Sequence, residues 1–254
     1  MSDQTRRRSS MRTAVVWQVL REALDRRVEA AGRSVLDVLD AGGGTGNLAV
    51  PIARLGHRVT VVDPSPDALA AFERRAAEAG VTDLVRAYQG DTHGLFDVVE
   101  PDAADVVLCH GVLEVVDDPS ADLAHIVRAL RTGGTLSLLA ANRTGAVLAR
   151  ALAGHFDQAR DLLADPEGRY GPADPLPRRF TVADLTALVA KAGLEAGPVH
   201  AIRVFADLVP GVLVDDPNSF DALLDLERAA AEQPEYRALA TQLHLLASKP
   251  AGGV

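Results

Sequence analysis

Lysine is almost missing from this chain: of 26 basic residues only Lys191 and Lys249 are lysines, and the rest are arginines. Acidic residues number 35, giving a net charge of −9. That balance argues against general nucleic-acid affinity, while leaving room for a local basic patch. A single cysteine, Cys109, excludes an intramolecular disulfide and any zinc site built on cysteines, and no metal is expected. No apolar stretch approaches the length of a membrane span and no signal peptide opens the chain, so the expectation is a cytoplasmic protein with no membrane partner. What remains is globular in composition, 48% hydrophobic over 254 residues. That is enough for one large α/β domain with a sizeable core.

The stretch Val35–Gly46 organises that domain. A short apolar run ends on Asp40, glycines follow at Gly42, Gly43, Gly44 and Gly46, and an apolar helical pattern begins. It reads as a buried strand, a tight turn stripped of side chains, and a helix N-terminus whose free N–H groups and partial positive charge face the turn. A dinucleotide fingerprint wants Gly-x-Gly-x-x-Gly, but Asn47 stands where its third glycine belongs. The pattern present is Asp-x-Gly-x-Gly-x-Gly, on Asp40, Gly42, Gly44 and Gly46. It resembles motif I of the class I S-adenosylmethionine-dependent methyltransferases. An acidic residue beside the loop suits a sulfonium ligand, which has an amino-acid end and no pyrophosphate.

In chain order, Arg6-Arg7-Arg8-Ser9-Ser10 reads as a polar arm, followed by a helix over Met11–Ala31 that closes at Gly32. The second strand, His57–Asp63, ends on an acidic residue placed to accept hydrogen bonds from ribose hydroxyls. A helix over Asp67–Ala79 precedes a third strand, Leu84–Gln89. Asp91 follows at the strand's carboxyl end, where it would either take an adenine amino group or cap a helix. The fourth strand is Ala104–His110, and a helix from Pro119 through Leu130 leads to an Arg131-x-Gly-Gly turn and a fifth strand, Thr135–Ala141. Residues 142–180 break the alternation with one helix (Ala146–Ala164) and a loop rich in Pro and Gly, and read as an inserted cap. A helix over Phe180–Ala192, strands Val199–Phe205 and Leu243–Ser248, and a helical pair between those strands complete the chain. The expected fold is Rossmann-like α/β: a central, mostly parallel seven-stranded sheet with helices on both faces. It is expected as a single domain over 1–254, with an N-terminal arm and helix over 1–34 and a cap over 142–180.

Beyond the glycine loop, the chain resembles the tRNA 5-carboxymethoxyuridine methyltransferases. The shared text includes Arg12 and Trp17-Gln18-x-Leu20, His110-x-Val112-Leu113-Glu114, Asn142-x-x-Gly145, Gly154-x-Phe156-Asp157, Arg203-Val204-Phe205 and Leu224-x-Leu226-Glu227. The resemblance implies that Arg12, Gly42, Gly43, Asp63, Asp91, Thr92 and His110 surround S-adenosyl-L-methionine, with Asp40 and Gly44 completing the loop. Arg12 makes sense as a fork for the cofactor's carboxylate, and otherwise as a helix-surface arginine. His110 would otherwise be a packed histidine.

The family's product is a methyl ester on a carboxymethoxy group. A carboxylate is already ionised near neutral pH, so alignment and exclusion of water suffice and no general base is needed. An arginine is the expected holder of that carboxylate, with Arg203, Arg143 and Arg178 the candidates in that order and Asn142 grouped with them as catalytic. The implied partner is a tRNA anticodon loop. Two departures bear on it: Ala141 and Val115 stand where relatives carry aromatics, and single-stranded bases stack on aromatics. The alternatives are a small-molecule acceptor under the cap, and a non-catalytic cofactor-binding module.

Overall fold

The computed structural model describes residues 3–251, with the side chains of residues 3–12, 217 and 218 outside the description. The chain opens on α1 (Asp3–Ala31). Residues 3–10, expected as an arm, are helical, because that run holds neither proline nor glycine to stop a helix. Val15, Val16, Leu20, Ala23 and Leu24 of α1 are buried, a stripe at helical spacing. Then come β1 (Asp37–Ala41), α2 (Ala49–Arg54), β2 (Arg58–Asp63), α3 (Pro66–Ala79) and β3 (Val85–Gln89). Every residue of β4 (Ala104–His110) is buried except its last, as expected for a central parallel strand covered on both faces.

The sheet order is β3-β2-β1-β4-β5-β7-β6, mostly parallel with one antiparallel hairpin, where β5 is Leu130–Ala141, β6 Glu195–Ile202 and β7 Gln242–Ser248. β1 pairs in parallel with β2 on one side and with β4 on the other. Strand order therefore reverses beside β1, and the crevice at its carboxyl end is the place where such sheets bind ligands.

Several expected boundaries move, the start of the sixth strand among them, at Glu195 rather than Val199. α4 (Pro119–Val127) stops before Leu130, and the Arg-x-Gly-Gly element lies inside β5 rather than in a turn ahead of it. The reason is pairing: Gly133 N–H donates to Lys249 C=O at 2.8 Å, and Lys249 N–H to Gly134 C=O at 3.0 Å. The single helix expected over 146–164 is two, α5 (Arg143–Leu152) and α6 (Phe156–Ala164), parted by Gly154 at φ +78°. A left-handed glycine past the last turn ends a helix. After α7 (Val182–Lys191), β6 closes at Ile202, so Arg203 is not a strand residue; its φ is +61°. α8 (Gly211–Asp215) is added ahead of α9 (Pro217–Ala231) and α10 (Pro234–Arg237).

The chain falls into two compact units. One comprises Arg21–Leu138, Ala187–Gly197 and the chain from Leu246; the other comprises Leu139–Thr186, Pro198–Leu245 and the chain as far as Leu20. In the second unit, Asn142 is 2% exposed and its amide is fully committed to backbone. Its Oδ1 accepts from Thr144 N–H at 3.2 Å and caps α5, while Nδ2 donates to the carbonyls of Arg237 (2.9 Å) and Ala240 (2.7 Å). One helical turn on, Gly145 lets the same segment approach: a Cβ there would lie 2.0 Å from Ala240 O. The Asn-x-x-Gly element is thus a docking device for residues 237–240. Gly145→Ala is expected to destabilise the protein by roughly 1–3 kcal/mol, the cost of overpacking a closed contact. Urea unfolding reads it as a lower midpoint at unchanged slope; an unchanged midpoint would mean that the contact is not formed in solution.

Candidate active site

The glycine loop owes its shape to bonds from outside it. Gly42 N–H donates to Val62 C=O at 2.7 Å. Gly44 N–H donates to Asp63 Oδ2 at 2.8 Å, and the other oxygen of Asp63 accepts from Ser65 N–H at 2.9 Å. Arg75 of α3 braces the far side, with Nη1 on Thr45 O (3.0 Å) and Asn47 Oδ1 (2.7 Å). Gly42 has φ +78°, and a Cβ there would meet Val112 Cγ2 at 2.5 Å. Backbone is therefore exposed where a side chain would fill the crevice.

That crevice has a volume of about 380 Å³, within the range of small-ligand sites. Gly42, Asp63, Asp91 and Thr92 line it together, with Val112 and Asp117 opposite. Its described lining contains three carboxylates and no lysine or arginine. Such a field favours a cation and disfavours a pyrophosphate, which fits a sulfonium-bearing ligand and not a dinucleotide.

The candidate residues divide by position. Asp91 serves its own turn, Oδ1 accepting from His93 N–H at 2.9 Å and Gly94 N–H at 3.1 Å; the bond from Gly94, then that from His93, holds its carboxyl below the usual range. It remains on the lining, so capping and ligand contact are compatible. Thr92 turns its hydroxyl onto buried Asp122. His110 does not line the cavity; its Nε2 meets Ser137 Oγ at 2.8 Å, and burial pushes its pKa down to about 4. It is therefore a neutral imidazole at neutral pH. Asp40 lies under the loop, 4% exposed, where a Cβ on Gly43 would come within 2.6 Å of its carboxyl. Burial first, and the charge of Asp63 second, push its pKa up to about 7. The side chain of Arg12 lies outside the described residues.

Among the acceptor candidates, Arg143 Nη1 donates to Pro166 C=O at 2.6 Å and Arg178 Nε lies 3.4 Å from Glu167. Arg203 Nη2 lies 2.5 Å from Asp207 Oδ1. Arg75 and Asp117 carry no motif, since nothing local marks a residue that braces or faces a loop from another element. Val112 stands in the His110-x-Val112-Leu113-Glu114 stretch with no site role attached to it. Among the described residues no group of three or more His, Cys, Asp or Glu is placed to hold a metal ion, and no helix is long and apolar enough to cross a membrane.

Comparison with known proteins agrees with this geometry. Residues 39–138 match the family described as "Methyltransferase domain". The tRNA 5-carboxymethoxyuridine methyltransferase of Escherichia coli K12 is 30% identical over 247 residues, covering 96% of this chain and 90% of that protein. The chain belongs to the class I S-adenosylmethionine-dependent methyltransferases. A ubiquinone biosynthesis O-methyltransferase from Xanthomonas euvesicatoria is 34% identical over 181 residues, 71% of this chain and 70% of that one. Among solved structures, an S-adenosylmethionine-dependent methyltransferase from Listeria monocytogenes shares the fold at TM-score 0.62 and 19% identity, over 95% of this chain and 100% of that one.

S-adenosyl-L-methionine is the methyltransferase's cofactor, and when bound it supplies an electrophilic methyl group on a positively charged sulfur. Asp63→Ala is expected to weaken cofactor binding by roughly 1.5–3 kcal/mol, the scale of a hydrogen bond to a charged group. Calorimetry giving wild-type affinity would remove Asp63 from the binding set. Asp40 carries a pH signature. The fold keeps its proton up to about pH 7, against 3.8 for the ordinary carboxyl. The stability contributed by neutral Asp40 is therefore full at low pH and lost as pH rises between those two values. In the ligand-free methyltransferase, the melting temperature of Asp40→Asn minus that of wild type should grow across that window and then level off; a difference independent of pH would contradict the raised value.

Proposed function

We propose that this methyltransferase O-methylates the carboxylate of a carboxymethoxyuridine in a tRNA anticodon loop. The observation that carries this reading is the span of the likeness to the tRNA enzymes. It covers 96% of the chain, whereas the general methyltransferase match ends at residue 138. The shared region thus takes in Asn142, Gly145, Arg203 and Glu227, which have no part in the glycine loop or its cleft.

The chemistry asks little of the chain. A carboxylate oxygen attacks without losing a proton, so the protein must bind, orient and dehydrate. Neutral His110 adds no competing positive charge. Arg203 is the residue proposed to hold the acceptor carboxylate, since a guanidinium fork matches a carboxylate's two oxygens. Of the three candidate arginines, only Arg203 combines a forced backbone conformation with a buried Nε that has no acceptor. Arg143 and Arg178 are proposed to shape the 142–180 segment through Pro166 and Glu167, and Asn142 to act only through the packing of α5.

A small-molecule acceptor is the second reading, favoured by the carboxylates on the cleft lining and by the ubiquinone-type relatives. The two separate in one assay: labelled S-adenosylmethionine, tRNA carrying unmethylated carboxymethoxyuridine, and nucleoside mass spectrometry. A new methyl ester on the wobble uridine is the expected product; no transfer, with cofactor binding intact, moves the assignment to a small acceptor. Arg203→Ala is expected to spare cofactor binding and to lower kcat/KM for the tRNA by about tenfold to a hundredfold, the range for one charged hydrogen bond.

A further inference from the structure

We infer that Glu227 is a positioning residue that sets Arg203 for the acceptor, an inference that rests on the reading of Arg203 as the carboxylate holder. Arg203 and Asp102 are the non-glycine residues with positive φ among the described residues. An arginine in the left-handed region is strained, and such strain persists only where surrounding structure over-determines it. Here it is imposed from α9. Glu227, 2% exposed, directs Oε2 at Val204 N–H (2.9 Å) and Oε1 at Phe205 N–H (2.8 Å) and Ala206 N–H (2.7 Å). Three successive amides after a left-handed residue form an anion-binding nest, and the buried carboxylate fills it.

The other side of Arg203 is tied as well. Its carbonyl accepts from Thr241 N–H at 3.3 Å. Thr241 Oγ1 donates to Asp207 Oδ2 at 2.8 Å, and Asp207 Oδ1 takes Arg203 Nη2. The backbone of Arg203 is thus held at both its C=O and the three amides that follow, whereas its guanidinium is not saturated. Nε is buried with no acceptor among the described residues, and buried donors are nearly always paired. Among the described residues Arg27 and Arg237 also bury an Nε without an acceptor, but neither stands at a positive φ. An arginine whose backbone is pinned by a buried carboxylate and whose donors are in surplus is built to meet an oxyanion. Glutamate is required by length and charge: aspartate is a methylene short of the nest, and a glutamine amide would turn N–H groups toward N–H groups.

The test uses the full chain and tRNA carrying unmethylated carboxymethoxyuridine. Glu227→Gln should raise KM for the tRNA about tenfold or more while leaving kcat within about twofold, the pattern of lost binding that ground and transition states share. Cofactor affinity by calorimetry should be unchanged. In an Arg203→Ala background, Glu227→Gln should add nothing, because a residue that acts through another loses its effect when that other is gone. Hydrogen exchange at Val204, Phe205 and Ala206 should quicken in the variant. If Glu227→Gln impairs cofactor binding, Glu227→Asp carries the same comparison. Wild-type KM in a Glu227 variant, or an equal loss with and without Arg203, overturns the inference while leaving Arg203 as holder. Full turnover by Arg203→Ala alone overturns the reading of Arg203 and the inference with it.

Discussion

Asp63 ties together the two loops that make the cleft. Its two carboxylate oxygens accept one amide each, from Gly44 in the loop after β1 and from Ser65 in the loop after β2. A parallel sheet delivers both loops to the same edge, but delivery alone does not shape them. The glycine run has almost no side chains with which to pack, so its conformation must be borrowed from neighbours. Val62 lends a carbonyl, Asp63 a carboxylate and Arg75 a guanidinium. Without these bonds the loop's amides would need other acceptors, and an unpaired amide is costly wherever water is excluded.

The second unit solves the same problem in the same way. Where its backbone leaves regular structure, one buried polar side chain collects the stranded groups: Asn142 takes carbonyls of the 237–240 segment, and Glu227 takes three amides after Arg203. Both are 2% exposed and each is saturated by backbone. Such fully satisfied buried groups specify one arrangement over its alternatives, because any other leaves a desolvated amide or carboxylate unpaired.

The chemistry inherits this economy. The proposed carboxylate acceptor would attack without a base, and His110, held neutral by burial and paired with Ser137, stands off the cleft lining. Asp40 shares its buried position under the loop with a proton that leaves near neutrality. The carboxylates on the lining set a field suited to a cation.

Much of this was legible without coordinates. Alternating strands and helices, a glycine run after the first strand and an acidic residue ending the second are local patterns, and local patterns fix local structure: β4 was placed residue for residue, and Gly80 closes α3 where the pattern ends. The misses have a different origin. The Arg-x-Gly-Gly element reads as a turn until Lys249 is seen beside it, and Arg203 reads as strand until Glu227 reaches it from 24 residues downstream. That the Asn142 amide bonds the carbonyls of residues 237–240 is likewise invisible until those carbonyls are in view. The sequence by itself determined the periodicities, the glycine loop and the cofactor class, all properties of short stretches. Only the tertiary structure decided which polar side chains are spent on backbone and which retain donors, because that depends on groups that adjacency in sequence does not bring together.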